Sequence, residues 1–214
     1  MVKVLIVEDE GLLRDLLKSK LETMPNLEIV DAVGNGNAAI EAVDRLTPDV
    51  ILMDIELGSE PNGIAAGRMI KETHPDIGII ILSAHKEREY INLVSQNQSS
   101  GWSYLLKQSV GDTAGLARAI EGAASGFVVM DQAVINGLKP RVGSITAGLT
   151  PRQQEVLALM AQGYNNAAIA ENLVLGTKSV ENYINAIYQE LRLSQNSALH
   201  PRVQAVLGYI KDSS

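Results

Sequence analysis

Five side chains at four points in the first half of this 214-residue sequence are of the types that handle phosphoryl groups. Glu8 and Asp9 follow the apolar run Val4 to Val7, Asp54 follows Val50 to Met53, Ser83 follows Ile79 to Leu82, and Lys107 follows Trp102 to Leu106. Three carboxylates brought together repel and raise one another's pKa values unless a divalent cation neutralises them. With oxygen donors only, in a chain that has no cysteine, a hard cation of the Mg²⁺ type fits best. A hydroxyl and a fixed ammonium complete a set in which cation and lysine neutralise phosphoryl oxygens while Asp54 attacks. A phosphohydrolase whose aspartyl nucleophile opens a DxD motif uses the same ingredients. That scheme wants its nucleophile on the first strand with a second Asp two residues on, whereas Asp54 falls on the third and is followed by Glu56.

These groups can meet only if the runs before them are neighbouring strands. Val4 to Val7, Ile29 to Val33, Val50 to Met53, Ile77 to Leu82 and Trp102 to Leu106 are nearly continuous in apolar character, as expected of parallel strands buried on both faces. Between them lie amphipathic stretches. Leu12, Leu13, Leu16, Leu17 and Leu21 recur at helical spacing, and Leu116, Ile120 and Ala124 do so more weakly. The alternation predicts a doubly wound α/β domain with a five-stranded parallel sheet over residues 1–125. In such a sheet, reactive groups gather beyond the carboxyl ends of the strands, near the point where the winding reverses.

Residues 126–148 loosen the pattern, with four glycines and a Lys139-Pro140 break, and read as a linker in which Val129 to Ile135 could form one short helix. A small all-α domain is expected over 149–214. Thr150, Pro151 and Gln153 make a capping box with proline in the first turn, opening a helix that carries Val156, Leu157 and Met160 inward and stops at Gly163. Asn166 reads as the next N-cap, before Ile169, Ala170 and Leu173. Gly176 then breaks the chain ahead of a longer helix from Thr177 with Val180, Ile184, Ile187 and Leu191 on one stripe. Short helix, tight turn, longer helix is the helix-turn-helix pattern. A last helix over Val203 to Ile210 would close the core.

With that stripe inward, Lys178, Glu181, Asn182, Asn185 and Gln189 face outward. Asn can bond adenine N6 and N7 together and Glu can accept from cytosine N4, while Thr177 and Ser179 suit phosphates at a helix N-terminus. The charge opposes this. From residue 149 onward five basic residues meet five acidic ones, so non-specific DNA affinity should be weak and two joined heads would be needed to recover it.

Composition narrows the classes further. Eighteen Lys and Arg against 25 Asp and Glu leave a net charge of −7, and 46% of residues are hydrophobic, so the chain is acidic and able to bury a core. The absence of cysteine excludes disulfide staples, thiolate metal sites and a thiol nucleophile. No apolar run approaches the roughly 20 residues that cross a bilayer. Acidic residues follow the first apolar run at once, which argues against a signal peptide. A soluble cytoplasmic protein without membrane contact is expected.

The first domain resembles the receiver domain of bacterial response regulators, a flavodoxin-like fold. The motifs are VLIVEDE at the start, DVILMDIELG around Asp54, IIILSAH containing Ser83, and SYLLK ending at Lys107. The resemblance implies that Asp54 accepts a phosphoryl group from a sensor histidine kinase. It implies Mg²⁺ held by Asp9, Asp54 and the Glu56 carbonyl, with Glu8 acting through a metal-bound water. Ser83 and Lys107 would contact the phosphoryl oxygens, and Tyr104 would be the aromatic switch residue. The second domain resembles the LuxR-type helix-turn-helix of the NarL/FixJ class, through LTPRQQEVL, the Gly163 stop, IAENL and TKSVENYINAI. Together they imply a transcription factor, not an enzyme, that binds double-stranded DNA through Thr177, Lys178, Ser179, Glu181, Asn182 and Asn185. It would dimerise when phosphorylated; action through protein contacts alone is the alternative.

Three stretches depart from the pattern of these families. The loop after Asp54 is one residue longer, the span from Ser83 to Lys107 about two residues longer around Gln96 to Gly101, and the connection from Arg192 to Arg202 is longer too. His85, two residues past Ser83, either tunes loss of the phosphoryl group together with Glu56 or is a solvated loop residue. His74 and His200 precede prolines and mark helix boundaries.

Overall fold

The computed structural model describes residues 1–85, 101–137, 145–193 and 199–213; most of the segment around Gln96 to Gly101, the Lys139-Pro140 break and residues 194–198 lie outside them. Strands β1 (Val2–Val7), β2 (Leu27–Val33), β3 (Val50–Asp54), β4 (Gly78–Ser83) and β5 (Trp102–Leu106) form one parallel sheet in the order β2-β1-β3-β4-β5. Alternation sends Leu5, Val7, Ile51, Met53, Ile79 and Ile81 to one face and Val4, Ile6, Val50, Leu52, Ile80 and Leu82 to the other. Helices α2 (Gly36–Leu46) and α3 (Gly63–Thr73) cover the first face, and α1 (Gly11–Glu22) and α4 (Thr113–Ala124) cover the second. Both faces are therefore dry, which is why the strands read as unbroken apolar runs.

Two details differ from the sequence reading. On α1 only Leu17 and Leu21 are fully buried, with Leu13 packed beside them. Leu12 and Leu16 are 80% and 59% exposed, because one residue of helical rotation carries them off the stripe that meets the sheet. The stretch from Val129 to Ile135 is not one helix. Residues up to Asp131 are extended, with Met130 bridged in parallel to Tyr104 of β5, and only α5 (Gln132–Ile135) is helical. The outer edge of β5 offers main-chain donors and acceptors that a local helix would leave unpaired.

The second unit holds α6 (Pro151–Ala161), α7 (Asn166–Leu173), α8 (Thr177–Glu190) and α9 (Pro201–Ser213). Thr150 and Gln153 form the reciprocal capping box, with Pro151 in the first turn. Asn165, not Asn166, caps α7, accepting from the Ala168 N–H at 2.9 Å; Asn166 is the first helical residue. Two adjacent asparagines are equivalent to a composition rule, and only backbone geometry chooses between them. Val156, Leu157, Met160, Ile169, Val180, Ile184, Ile187, Val203 and Val206 make the core here. It is continuous, through Val128, Met130, Val134 and Ile135, with the α2/α3 side of the sheet.

Candidate functional site: an acidic pocket and an exposed helix face

The strand order reverses direction between β1 and β3, and the carboxyl ends of those strands deliver the acids. Glu8 follows β1 and is fully buried, Asp9 is exposed beside it, and Asp54 is the last residue of β3 and 2% exposed. One carboxylate oxygen from each of the three lies within 4.8 Å of the others. Lys107, just past β5, reaches across with its Nζ 3.0 Å from Asp54 Oδ2, 3.0 Å from Glu8 Oε1 and 2.9 Å from Glu8 Oε2. The last approach is an ion contact only, since Glu8 Oε2 is buried and accepts no hydrogen bond.

Burial pushes the Glu8 carboxyl above its ordinary value, and the facing Asp54 charge adds to this against the Lys107 hydrogen bond. Burial likewise raises Asp54 in spite of Lys107. For Lys107, burial works against the charge, but hydrogen bonds from its ammonium to Glu8 and Asp54 hold it above the usual lysine value. One ammonium therefore leaves two buried carboxylates undercompensated. An all-oxygen donor set in which the buried Glu8 Oε2 has an ion contact but accepts no hydrogen bond fits a hard divalent cation.

Local backbone explains how the pocket stays tight. Gly63 opens α3 where an added Cβ would stand 1.8 Å from the Asp54 carbonyl oxygen, so only glycine lets the chain return this close. Gly58 takes φ +62° with its missing Cβ 3.0 Å from Asp9 Oδ2. Glu56 points to solvent, while its N–H donates to Asp54 Oδ1 at 3.3 Å.

On the other side of Asp54, a cavity of about 20 Å³ is lined by Asp54, Glu56, Ser83, His85 and Lys107, among others. It holds about one water-sized group. The Ser83 hydroxyl donates to the His85 carbonyl at 2.9 Å and accepts from the His85 N–H at 3.2 Å. The Tyr104 hydroxyl, on a fully buried ring, donates to the same carbonyl at 2.5 Å. His85 thus joins the two proposed switch residues through its main chain. Side-chain types gave no sign of this, since a carbonyl has no signature in the sequence.

The five pocket residues come together; the second set lies elsewhere. On α8, Thr177, Lys178, Ser179, Asn182 and Asn185 are exposed and Glu181 is half-buried, over a core of Val180, Ile184 and Ile187. Gly176 is the N-cap and supplies no side-chain acceptor, while its carbonyl accepts from the Ser179 N–H at 2.9 Å and the Val180 N–H at 3.2 Å. Lys178 Nζ pairs with Glu181 Oε2 at 2.9 Å, one turn apart on the face expected to meet DNA. His74 is the C-cap of α3, as its place before Pro75 suggests, and His200 comes just ahead of α9.

A buried aspartate at the switch point of a doubly wound sheet is thus joined, in one chain, to a helix-turn-helix. Residues 4–121 match the response regulator receiver domain, and residues 147–203 match the luxR family of bacterial regulatory proteins. The chain belongs to the two-component response regulators with a LuxR-type DNA-binding domain, which regulate transcription and are not enzymes. It is 31% identical to the transcriptional regulatory protein DegU of Brevibacillus brevis, over 99% of this chain and 94% of that one. It is 30% identical to the response regulator VraR of Staphylococcus saprophyticus, over 96% and 95%. Among solved structures, the RcsB response regulator of Salmonella typhimurium superposes with TM-score 0.57 at 22% identity, covering 98% of both chains. Among the described residues no helix is long and apolar enough to cross a membrane.

Proposed function

We propose that Asp54 of this cytoplasmic regulator is phosphorylated by a sensor histidine kinase and that the modification controls binding of residues 149–214 to double-stranded DNA. Residues 1–125 serve as the receiver and 126–148 as the linker. The observation that carries this reading is the buried Asp54 carboxylate held 3.0 Å from the Lys107 ammonium, within 4.8 Å of two further acids. An Asp54 oxygen attacks the phosphorus of the donor, the bond to the donor's histidine nitrogen breaks, and that nitrogen leaves with the electron pair. Lys107 neutralises a phosphoryl oxygen, and Ser83 turns from the His85 carbonyl to donate to another. Asp9, Asp54 and the Glu56 carbonyl would hold Mg²⁺, with Glu8 contributing through a bound water; when present, the ion neutralises charge on the transferring group. Water attack on phosphorus later returns the free carboxylate and inorganic phosphate.

The cavity beside Asp54 is bounded by the Ser83–His85 turn, so a phosphoryl group accepted there meets that turn first. This is how chemistry at Asp54 reaches Tyr104. Downstream, α8 enters the major groove, with Lys178, Ser179 and Thr177 near phosphates and Glu181, Asn182 and Asn185 near base edges. RcsB, similar in fold, has been solved as dimers on DNA, and the same assembly is proposed here for the phosphorylated form.

The test is incubation of the intact protein with acetyl phosphate and Mg²⁺, followed by intact-mass and peptide analysis. One phosphate on Asp54, lost in base and absent from Asp54→Asn, is expected; none on the wild type ends the reading. Mobility shifts on selected DNA with and without phosphorylation then separate a DNA-binding output from one that works by protein contacts alone.

A further inference from the structure

The outer edge of β5 is closed by the chain's own continuation. The Tyr104 N–H donates to the Val129 carbonyl and the Asp131 N–H to the Tyr104 carbonyl, each at 2.8 Å. Ser103 Oγ accepts from the Val129 N–H at 2.9 Å. The Asp131 carboxylate accepts from the Leu106 N–H at 3.0 Å and the Ala133 N–H at 2.8 Å. Ser103 and Asp131 are 0% and 2% exposed, so these bonds are what make their burial tolerable. Along an extended segment successive amides point to opposite sides. The Met130 amide therefore points away from β5, and its N–H donates to the carbonyl of Ala161, the last residue of α6, at 2.8 Å. Val129 fills space that two glycines leave open: an added Cβ would stand 2.7 Å from its methyl at Gly122 of α4 and 3.1 Å at Gly163 after α6.

We propose that residues 128–131 are a strap that docks the helix-turn-helix onto the receiver and passes the state of Tyr104 to it. The proposal rests on the phosphoacceptor reading above and extends it to the route of transmission. Ser83 and Tyr104 share one acceptor, the His85 carbonyl, so drawing Ser83 towards a phosphoryl group disturbs the anchor of the Tyr104 ring. The main chain of Tyr104 is in turn the strap's own hydrogen-bond partner. Disturbing it loosens a segment whose opposite edge holds α6. None of these strap bonds involves α8, whose outer residues stay exposed. The strap thus sets where the output domain sits, not whether its reading face is open.

The sequence contains no cysteine, so a full-length chain carrying Glu41→Cys and Asn172→Cys, both at exposed positions, accepts a spin-label pair without background. One narrow distance distribution is expected for the otherwise wild-type chain and a broad one for Asp131→Ala. Ser103→Ala, which removes only the acceptor of the Val129 N–H, covers the case in which Asp131→Ala fails to fold. It should speed amide exchange at Val129 and Met130 by about tenfold. Beryllofluoride with Mg²⁺, a phosphoryl mimic, should accelerate Met130 exchange in the wild type. Unchanged distances and exchange in the strap variants overturn the proposal, as does Met130 exchange unmoved by beryllofluoride in protein that demonstrably takes phosphate at Asp54. Should Asp54 take none, the functional reading fails, while the variants still decide whether the strap holds the two units together.

Discussion

Burial raises the Asp54 and Glu8 carboxyls above their ordinary values, and this has a measurable sign. Both carboxyls are raised in the folded protein by burial, so the stability they contribute is present at low pH and lost as pH rises through their folded values. At neutral pH the pair strains the fold, and a divalent cation should relieve it. At ten times its dissociation constant, Mg²⁺ adds about 1.4 kcal/mol, or roughly 3–6 °C in melting temperature for a chain of this size. Asp9 is exposed and supplies one of the three converging oxygens. Asp9→Asn should therefore fold normally in chelator yet lose most of the Mg²⁺-dependent gain, which calorimetry with and without the ion would read; an undiminished gain removes Asp9 from the site. Lys71 behaves in the opposite sense. Burial lowers its ammonium to about 8 although Asp76 pulls the other way, and its Nζ donates to the Pro75 carbonyl at 2.8 Å. A lysine whose folded value lies below its unfolded one destabilises the fold while charged, so its contribution should improve as pH rises from about 8 towards 10.5. Lys71→Met should stabilise the protein at pH 7 by at most about 3 kcal/mol, and the gap to wild type should narrow across that window in urea titrations. A gap that does not change with pH would show that Lys71 keeps its ordinary ionisation.

At the scale of elements, α8 carries its own neutralising pair. Lys178 lies 2.9 Å from Glu181, so a DNA phosphate must compete with a carboxylate already in place. In Glu181→Gln the ammonium is released, and binding should gain up to about 0.9 in the slope of log affinity against log salt. Fluorescence anisotropy at several salt concentrations reads this directly; an unchanged slope with weaker binding would instead assign Glu181 to base recognition. Which elements could be read from sequence follows from whether their partners are local. The strands were legible because both sheet faces are dry, and the pocket because each of its groups ends an apolar run or begins just after one. The capping box at Thr150 was legible because Thr150 and Gln153 satisfy one another within a single turn. The leucines of α1 were over-read, since periodicity marks a stripe but not its width, and Leu12 lies 80% exposed. The extended segment 128–131 was hidden. Its β-branched residues pair with β5 about 25 residues earlier, and nothing in their own spacing announces a partner at that distance.

Charge is divided unevenly over the molecule. The five acidic and five basic residues after residue 149 cancel, so the whole excess of −7 lies in the preceding residues. A phosphoryl group adds about −1.5 to −2 more to that part, and long-range electrostatics therefore cannot draw the activated protein to DNA. Nor does activation need to uncover α8, whose outer residues are already exposed while α6 is bonded to the strap. What remains is assembly: two weak heads on one DNA bind with the second step made intramolecular, which raises affinity without a new contact. The two mechanisms differ in their salt dependence. If phosphorylation assembles heads that already read DNA, each protomer makes the same phosphate contacts before and after. The slope of log affinity against log salt should then double for the activated dimer on a two-site fragment and stay unchanged on a single half-site. If phosphorylation instead unmasked the reading face, the slope on a single half-site would itself steepen. Binding of full-length protein to one-site and two-site duplexes, with and without beryllofluoride at matched salt, distinguishes them, and a steeper half-site slope on activation would exclude assembly as the sole lever.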